Sequence, residues 1–353
     1  MSASVEVPES MRCSVLQAAG ELEVQQRAVP RPGPREVLVR VGAVGTCGSD
    51  VHYYRHGRIG EFVVREPLVL GHEPSGRIVA VGPGVDAGRI GQRVSLEPGV
   101  PCRRCRYCHT GSYNLCPDIV FFATPPVDGA FAEYVAIADD FAHPVPEHVS
   151  DDAAALLEPL SVALWAHRRA GTGIGSRVLV AGAGPIGLLV AQVAAVQGAT
   201  EILVSDPDPA RRELARTFGA TAVLDPAVDD PAGVDGASTA DGTAGRHGVD
   251  SFVDCSGVAP AVLSGLRAVR PGGTVVLVGM GADEMTLPVA ALQSREIVLT
   301  GTFRYANTWP TAVRLAASGA VDLDRLVTGH VDLEHVGDAL DPSPAQVKVM
   351  VRP

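Results

Sequence analysis

The chain has 353 residues, 46% hydrophobic and 20% charged, with a formal net charge of −11. The length predicts roughly two domains whose cores need no covalent staple, and the acidic balance argues against a nucleic-acid backbone or an anionic membrane as partner. No run approaches the ~20 apolar residues of a membrane helix, and MSASVEVPES lacks the basic-then-apolar pattern of a signal peptide. The expected compartment is the reducing cytoplasm, where an odd count of seven cysteines argues against a disulfide framework.

The N-terminal part, over residues 1–160, is rich in Gly, Pro and short β-branched runs. EVLVRVGAVG (36–45) and PSGRIVAVGPGV (74–85) read as strands bounded by turns. The pattern changes after Leu156. RVLVAGAGPIGLLVAQVAAVQGA (177–199) predicts a strand, a Gly-rich turn and a helix ending near Gly198. EILVSD (201–206) predicts the next strand, and RRELARTFGA (211–220) a helix closing on Gly219. VDSFVDCSG, GTVVLVGMG and REIVLTGTF supply three more apolar strands, with AVLSGLRAV (261–269) helical before the second. Strands alternating with helices predict a doubly wound parallel sheet, α/β in class, over 161–298. The tail, 299–353, is expected to return to the first domain. DPAVDDPAGVDGASTADGTAGRHG (225–248) is poor in helix formers, and any helix there would be weak.

Three clusters carry chemistry. Gly182-Ala183-Gly184-Pro185-Ile186-Gly187 has GxGxxG spacing after a strand and before a helix, and Asp206 ends the next strand. Such a turn lets backbone approach a pyrophosphate, with the helix N-terminus facing it and Pro185 in the first turn. A carboxylate at Asp206 favours NAD over NADP, although Arg211 and Arg212 nearby are a counter-signal. Second, Cys102, Cys105, Cys108 and Cys116 lie in one loop (about 98–118). Four thiolates suit a closed, structural zinc, with an iron–sulfur cluster as the rival. Third, Cys47, His72 and Glu73 flank strands and could make an open zinc site. Taken singly, Cys47 is more often a small core residue and His72 more often a satisfied loop histidine, and composition and spacing alone leave the two readings even.

GHEPSGRIVAVGPGV resembles the zinc signature of the medium-chain alcohol dehydrogenases, with Gly71, His72, Glu73, Gly76, Gly82 and Val85 all falling on it. The cysteine lobe and GAGPIG are similar to the same family in order and spacing. CGSDVHYY, YRHGRIGEFVV, YNLCPDIVFFATPPVDG, LEPLSVALWAHRRAG and GTFRYANTWP resemble its sorbitol (polyol) dehydrogenase branch and cover most of residues 40–310. The resemblance implies a GroES-like β-rich catalytic domain and a Rossmann domain. It implies a catalytic zinc on Cys47 and His72, with either Glu73 or Glu158 as third ligand, and a structural zinc on the four cysteines. Ser49 and His52 would relay a proton, and Tyr53, Phe121, Arg304 and Tyr305, with Glu158, would line the substrate pocket. Gly182, Gly184, Pro185, Ile186, Gly187, Asp206 and Arg211 would hold NAD. Cys13 and Cys255 match no ligand.

The expected activity is NAD-linked oxidation of a sugar alcohol such as sorbitol or xylitol to its ketose, reversibly, in a homotetramer or homodimer. Threonine, 2,3-butanediol and cyclitols are the rival substrates on the same scaffold. Zinc-free quinone reductases share the fold but lack these ligands. A non-enzymatic NAD-binding structural protein is the reading furthest from these motifs.

Overall fold

The computed structural model describes residues 7–231, 248–341, 343 and 345–353. Most of the helix-poor stretch expected over 225–248 lies outside the described residues. The chain divides into two compact units, Met1–Glu158 with Trp309–Pro353, and Pro159–Thr308.

The first unit is built on a seven-stranded sheet in the order Ala142–Pro144, Arg93–Leu96, Glu73–Val81, Glu36–Gly45, Lys348–Val351, Val327–Val331, with Tyr134–Ala138 also paired to Glu36–Gly45. The apolar runs read from sequence form its centre. Val37, Val39, Val41, Ile78, Val94 and Leu96 are buried with Phe131 and Ile137 in one core. Each fully buried side chain of this size contributes roughly 1.5–3 kcal/mol over exposure. Two consequences of pairing matter for function. Glu36–Gly45 and Glu73–Val81 run antiparallel with Gly45 opposite Glu73, so the residues just after the first strand meet those just before the second. The tail strand Lys348–Val351 then pairs with the same end, Met350 opposite Gly45.

The second unit is a six-stranded parallel sheet ordered Ala222–Leu224, Glu201–Ser205, Arg177–Ala181, Val249–Asp254, Val269–Leu277, Val298–Gly301. Arg177–Ala181 has its sequence successor on one side and Val249–Asp254 on the other. Strand order reverses there, which is where open α/β sheets bind ligands, beyond the carboxyl ends of the strands. Val298–Gly301 is an edge strand, and its place in the sheet puts residues 299–308 with this unit rather than with the returning tail. Its helices among the described residues include Pro185–Val196, with Pro in the first turn, Pro209–Thr217, and Ala259–Ala268. The short strand Ala222–Leu224 was not expected from sequence; three residues carry too little pattern to register.

His167, on helix Leu157–Ala170, is 1% exposed. Its Nε2 lies 2.8 Å from the Val190 carbonyl, and burial pushes its pKa down from 6.5 to about 4. Between those two values the unfolded chain takes up a proton that the folded chain refuses. Stability supplied by the neutral ring is thus present above 6.5 and lost as pH falls towards 4. At roughly 1.4 kcal/mol per pKa unit the loss has an upper limit of about 3.5 kcal/mol. His167→Gln should flatten the acid limb of a stability-versus-pH curve measured by urea unfolding. An unchanged slope would show that His167 does not titrate on unfolding.

Candidate active site

Cys47 ends the turn after Glu36–Gly45 and is the N-cap of helix Gly48–His56. His72 and Glu73 open the neighbouring antiparallel strand. The pairing brings the three together: the Cys47 sulfur, a His72 ring nitrogen and a Glu73 carboxylate oxygen all lie within 4.8 Å of one another. A thiolate, an imidazole and a carboxylate at this spacing fit one divalent ion and leave a coordination position open.

Asp50 orients the set and was not foreseen. It is 1% exposed. Its Oδ2 accepts from the Cys47 N–H at 2.9 Å, and its Oδ1 accepts from the Gly71 N–H at 3.0 Å and lies 3.6 Å from His72 Nδ1. One carboxylate thus ties both ligand-bearing turns, as an outer partner of a metal-ligating histidine does. Burial alone would lower the His72 pKa, but Asp50 and Cys47 outweigh it and hold it well above 6.5. Metal binding to His72 must displace that proton.

Glu73 has a second partner. Lys348, on the tail strand, is 3% exposed. Its Nζ donates to Glu73 Oε1 at 2.7 Å, lies 2.5 Å from Oε2, and donates to the Thr46 carbonyl at 2.7 Å. Burial disfavours the Lys348 charge, but Glu73, Cys47 and Glu158 outweigh it and raise its pKa. Gly45 makes room for this pair: a Cβ there would sit 2.0 Å from Glu73 Oε2 and 3.0 Å from Lys348 Cε.

Glu158, 5% exposed, stands in the first turn of Leu157–Ala170. Ser49 and His52 lie three apart on helix Gly48–His56 and so share a face; the His52 ring is 5.7 Å from that of His56. Phe121 is buried with its ring 5.8 Å from His72. Tyr53 is 4% exposed in the core of the first unit. Arg304 and Tyr305 belong to the second unit. There Arg304 has a left-handed φ of 53° and lies 4.8 Å from the Phe303 ring centroid, and Tyr305 is buried.

The cysteine lobe is a separate centre. Its four sulfurs lie within 4.8 Å of one another, with Cys105–Cys108 at 3.5 Å and Cys102–Cys108 at 3.9 Å. Four ligands on a tetrahedron with Zn–S near 2.3 Å would be about 3.8 Å apart, so the lobe fits one ion with no open position. Backbone N–H groups of Arg104 and Cys105 lower the Cys102 pKa to about 7, whereas burial pushes Cys108 up to about 12. The lobe is fastened to the first unit. Tyr113 donates to buried Glu97 at 2.7 Å, Arg103 makes two 2.6 Å bonds to Asp140, and its guanidinium lies 5.5 Å over Phe141. Glu97 in turn pairs with His143, which stacks on Trp309.

In the second unit the Gly-rich turn leaves Ala181, and Gly184 caps helix Pro185–Val196. At Gly187 a Cβ would lie 1.8 Å from the Gly182 carbonyl oxygen, so only glycine lets helix and turn approach this closely. Asp206 reaches back to the turn: its Oδ2 accepts from the Ala183 N–H at 2.7 Å and its Oδ1 from the Asp208 N–H at 2.9 Å. Arg211 sits over the turn, with one guanidinium nitrogen 3.7 Å from where a Gly184 Cβ would be. These features are those of a dinucleotide site.

A nucleotide-type sheet joined to a β-unit with an open three-ligand metal set and a closed four-thiolate lobe defines a metal-dependent dehydrogenase. Residues 33–147 match the Alcohol dehydrogenase GroES-like domain, and residues 185–318 match Zinc-binding dehydrogenase. Sorbitol dehydrogenase of Gallus gallus is 42% identical over 340 residues, covering 96% of this chain and 95% of that protein. Sorbitol dehydrogenase of Bacillus subtilis is 42% identical over 336 residues, covering 95% and 94%. Among solved structures, L-idonate 5-dehydrogenase of Escherichia coli superposes with a TM-score of 0.87 at 30% identity, covering 98% of each chain. The chain belongs to the zinc-binding dehydrogenase family, in the polyol branch that includes these sorbitol dehydrogenases.

Removing Lys348 would leave the Glu73 charge buried without its cation. Lys348→Met should therefore lower unfolding free energy by about 3–5 kcal/mol, measured by urea denaturation. Adding Glu73→Gln should restore part of the loss. A single variant within about 1 kcal/mol of the parent, the range of an exposed pair, would show that the pair holds nothing together.

Proposed function

We propose that this chain catalyses the zinc-dependent, NAD-linked interconversion of a sugar alcohol and its ketose. The observation that carries the reading is the Cys47–His72–Glu73 set, open to a further ligand, in a chain 42% identical over 96% of its length to a sorbitol dehydrogenase. In this reading Cys47, His72 and Glu73 hold the catalytic zinc, and Cys102, Cys105, Cys108 and Cys116 hold the structural one. Bound zinc supplies Lewis acidity, which lets a secondary alcohol lose its proton near neutral pH.

The chain's own residues do the rest. Asp50 fixes the His72 ring, and Lys348 offsets the Glu73 charge so that the ligand set keeps a net positive character. Glu158, adjacent in charge to Lys348, binds the substrate hydroxyl or takes part in proton removal. Ser49 passes the proton along the helix face to His52. Phe121, beside His72, gives the apolar wall, and Tyr53, Arg304, Tyr305 and Glu158 give polar partners for the remaining hydroxyls. An unbranched apolar alcohol would leave such partners unpaired, at about 1–3 kcal/mol each. The hydride acceptor is NAD on Gly182, Gly184, Pro185, Ile186 and Gly187, with its ribose hydroxyls on Asp206 and Arg211 alongside.

We further infer a homo-oligomer, dimer or tetramer. The open edge strand Val298–Gly301 supports it, with Val289, Val298 and Phe303 exposed in the same unit. Seven unbridged cysteines suit the reducing cytoplasm, and among the described residues no helix is long and apolar enough to cross a membrane.

The test is NADH formation, followed by absorbance, against sorbitol, xylitol, myo-inositol, threonine and 2,3-butanediol, with and without a chelator. Chelator-sensitive turnover of a linear polyol is expected. Turnover of threonine or butanediol alone would overturn the polyol assignment while keeping the dehydrogenase. The two metal sets should separate on mutation. Cys47→Ser should cut turnover roughly a hundredfold or more with the melting temperature kept. Cys105→Ser should lower the melting temperature and release zinc first.

A further inference from the structure

Two arginines follow Asp206 on helix Pro209–Thr217, and the structure treats them differently. Arg211 faces Gly184 of the phosphate-type turn, and its nearest carboxylate, Asp208, is 4.0 Å away. Arg212 is held elsewhere. Its Nη1 donates to the carbonyls of Asp206 at 2.7 Å and Pro207 at 2.9 Å, and its Nη2 lies 3.0 Å from Asp225 Oδ2. Its side chain is 16% exposed, and that of Asp225 is 30% exposed.

Asp225 is itself well fixed. It follows strand Ala222–Leu224, which pairs with Glu201–Ser205, and the Asp206 N–H donates to the Leu224 carbonyl at 3.2 Å. Asp225 Oδ1 accepts from the Ala227 N–H at 3.0 Å, and the Asp225 N–H donates to Asp229 at 2.7 Å. The carboxylate that grips Arg212 is thus anchored to the strand next to the one Asp206 terminates.

A guanidinium released at this point would have two effects. It could pair with the Asp206 carboxylate, which would then accept less well from two ribose hydroxyls. It would also offer a cation where the extra phosphate of NADP would sit. Both effects move the site towards the phosphorylated dinucleotide. We propose that Asp225 is a positioning residue for dinucleotide choice. It keeps Arg212 against main-chain carbonyls, so Arg212 neither pairs with the Asp206 carboxylate nor adds a second cation, beside Arg211, for a 2′-phosphate. The proposal rests on the NAD reading given above.

The experiment is direct binding of NADH and of NADPH to the zinc-loaded full-length chain, by fluorescence titration without substrate. The parent, Asp225→Asn, Arg212→Gln and the double variant are compared. The parent should bind NADH more tightly. Asp225→Asn should shift the NADPH-to-NADH affinity ratio towards NADPH by roughly fivefold, the size of one partly exposed charge pair. Arg212→Gln alone should not shift it that way, and in the double variant it should cancel the Asp225→Asn shift. If Asp225→Asn and Arg212→Gln lower the melting temperature alike and leave the ratio where it was, the pair is only a brace and the proposal falls. A shift that persists in the double variant also overturns it, because it would not act through Arg212. A parent that already prefers NADPH overturns the NAD reading itself, separately from the role of Asp225.

Discussion

The buried contact between Glu73 and Lys348 is the constraint on which the first unit turns. Glu73 starts one strand, Lys348 starts another, and Gly45 ends the strand between them with no side chain to obstruct their meeting. A carboxylate this deep is costly without a cation, and an ammonium this deep is costly without an anion. Each therefore specifies the other, and together they tie the last strand of the chain to the pair of strands that deliver Cys47 and His72. The tail does more than close the sheet: it supplies the charge that balances Glu73.

The two metal-type centres divide the work by coordination. Four sulfurs at near-tetrahedral spacing would leave no position for a substrate on an ion they held, which is the basis for proposing a structural role for the cysteine lobe. Its attachments through Tyr113, Arg103 and buried Glu97 run into the same unit that carries the open set. The open set has only one thiolate and a cationic neighbour, which suits polarisation of an oxygen. Asp50 then sets the orientation on which any such polarisation depends.

What could be read from the sequence was local. The strands 36–45, 177–181 and 249–254, the Gly-rich turn and the four-cysteine spacing are short-range patterns, and each sits in the structure as an element or a cluster. Cys47 and His72 could be paired only through resemblance, because 25 positions separate them and antiparallel register joins them. Lys348 and Asp225 were silent for the same reason. A lysine in KVMV looks like an ordinary polar residue at a strand start, and its partner lies 275 positions away. Asp50 carried a fainter signal, an acidic residue three after a helix cap, which reads as capping and not as a partner for a histidine. The place of 299–308 with the second unit was missed because the expected boundary at 298 cuts through the strand that REIVLTGTF itself predicts.

Two zinc ions of different kinds on one chain can be distinguished by zinc counting combined with X-ray absorption. About two zinc per chain are expected. After mild chelation about one should remain, with a four-sulfur shell near 2.3 Å. A single zinc per chain, or a residual ion with nitrogen and oxygen in its shell, would contradict the division between a structural and a catalytic centre.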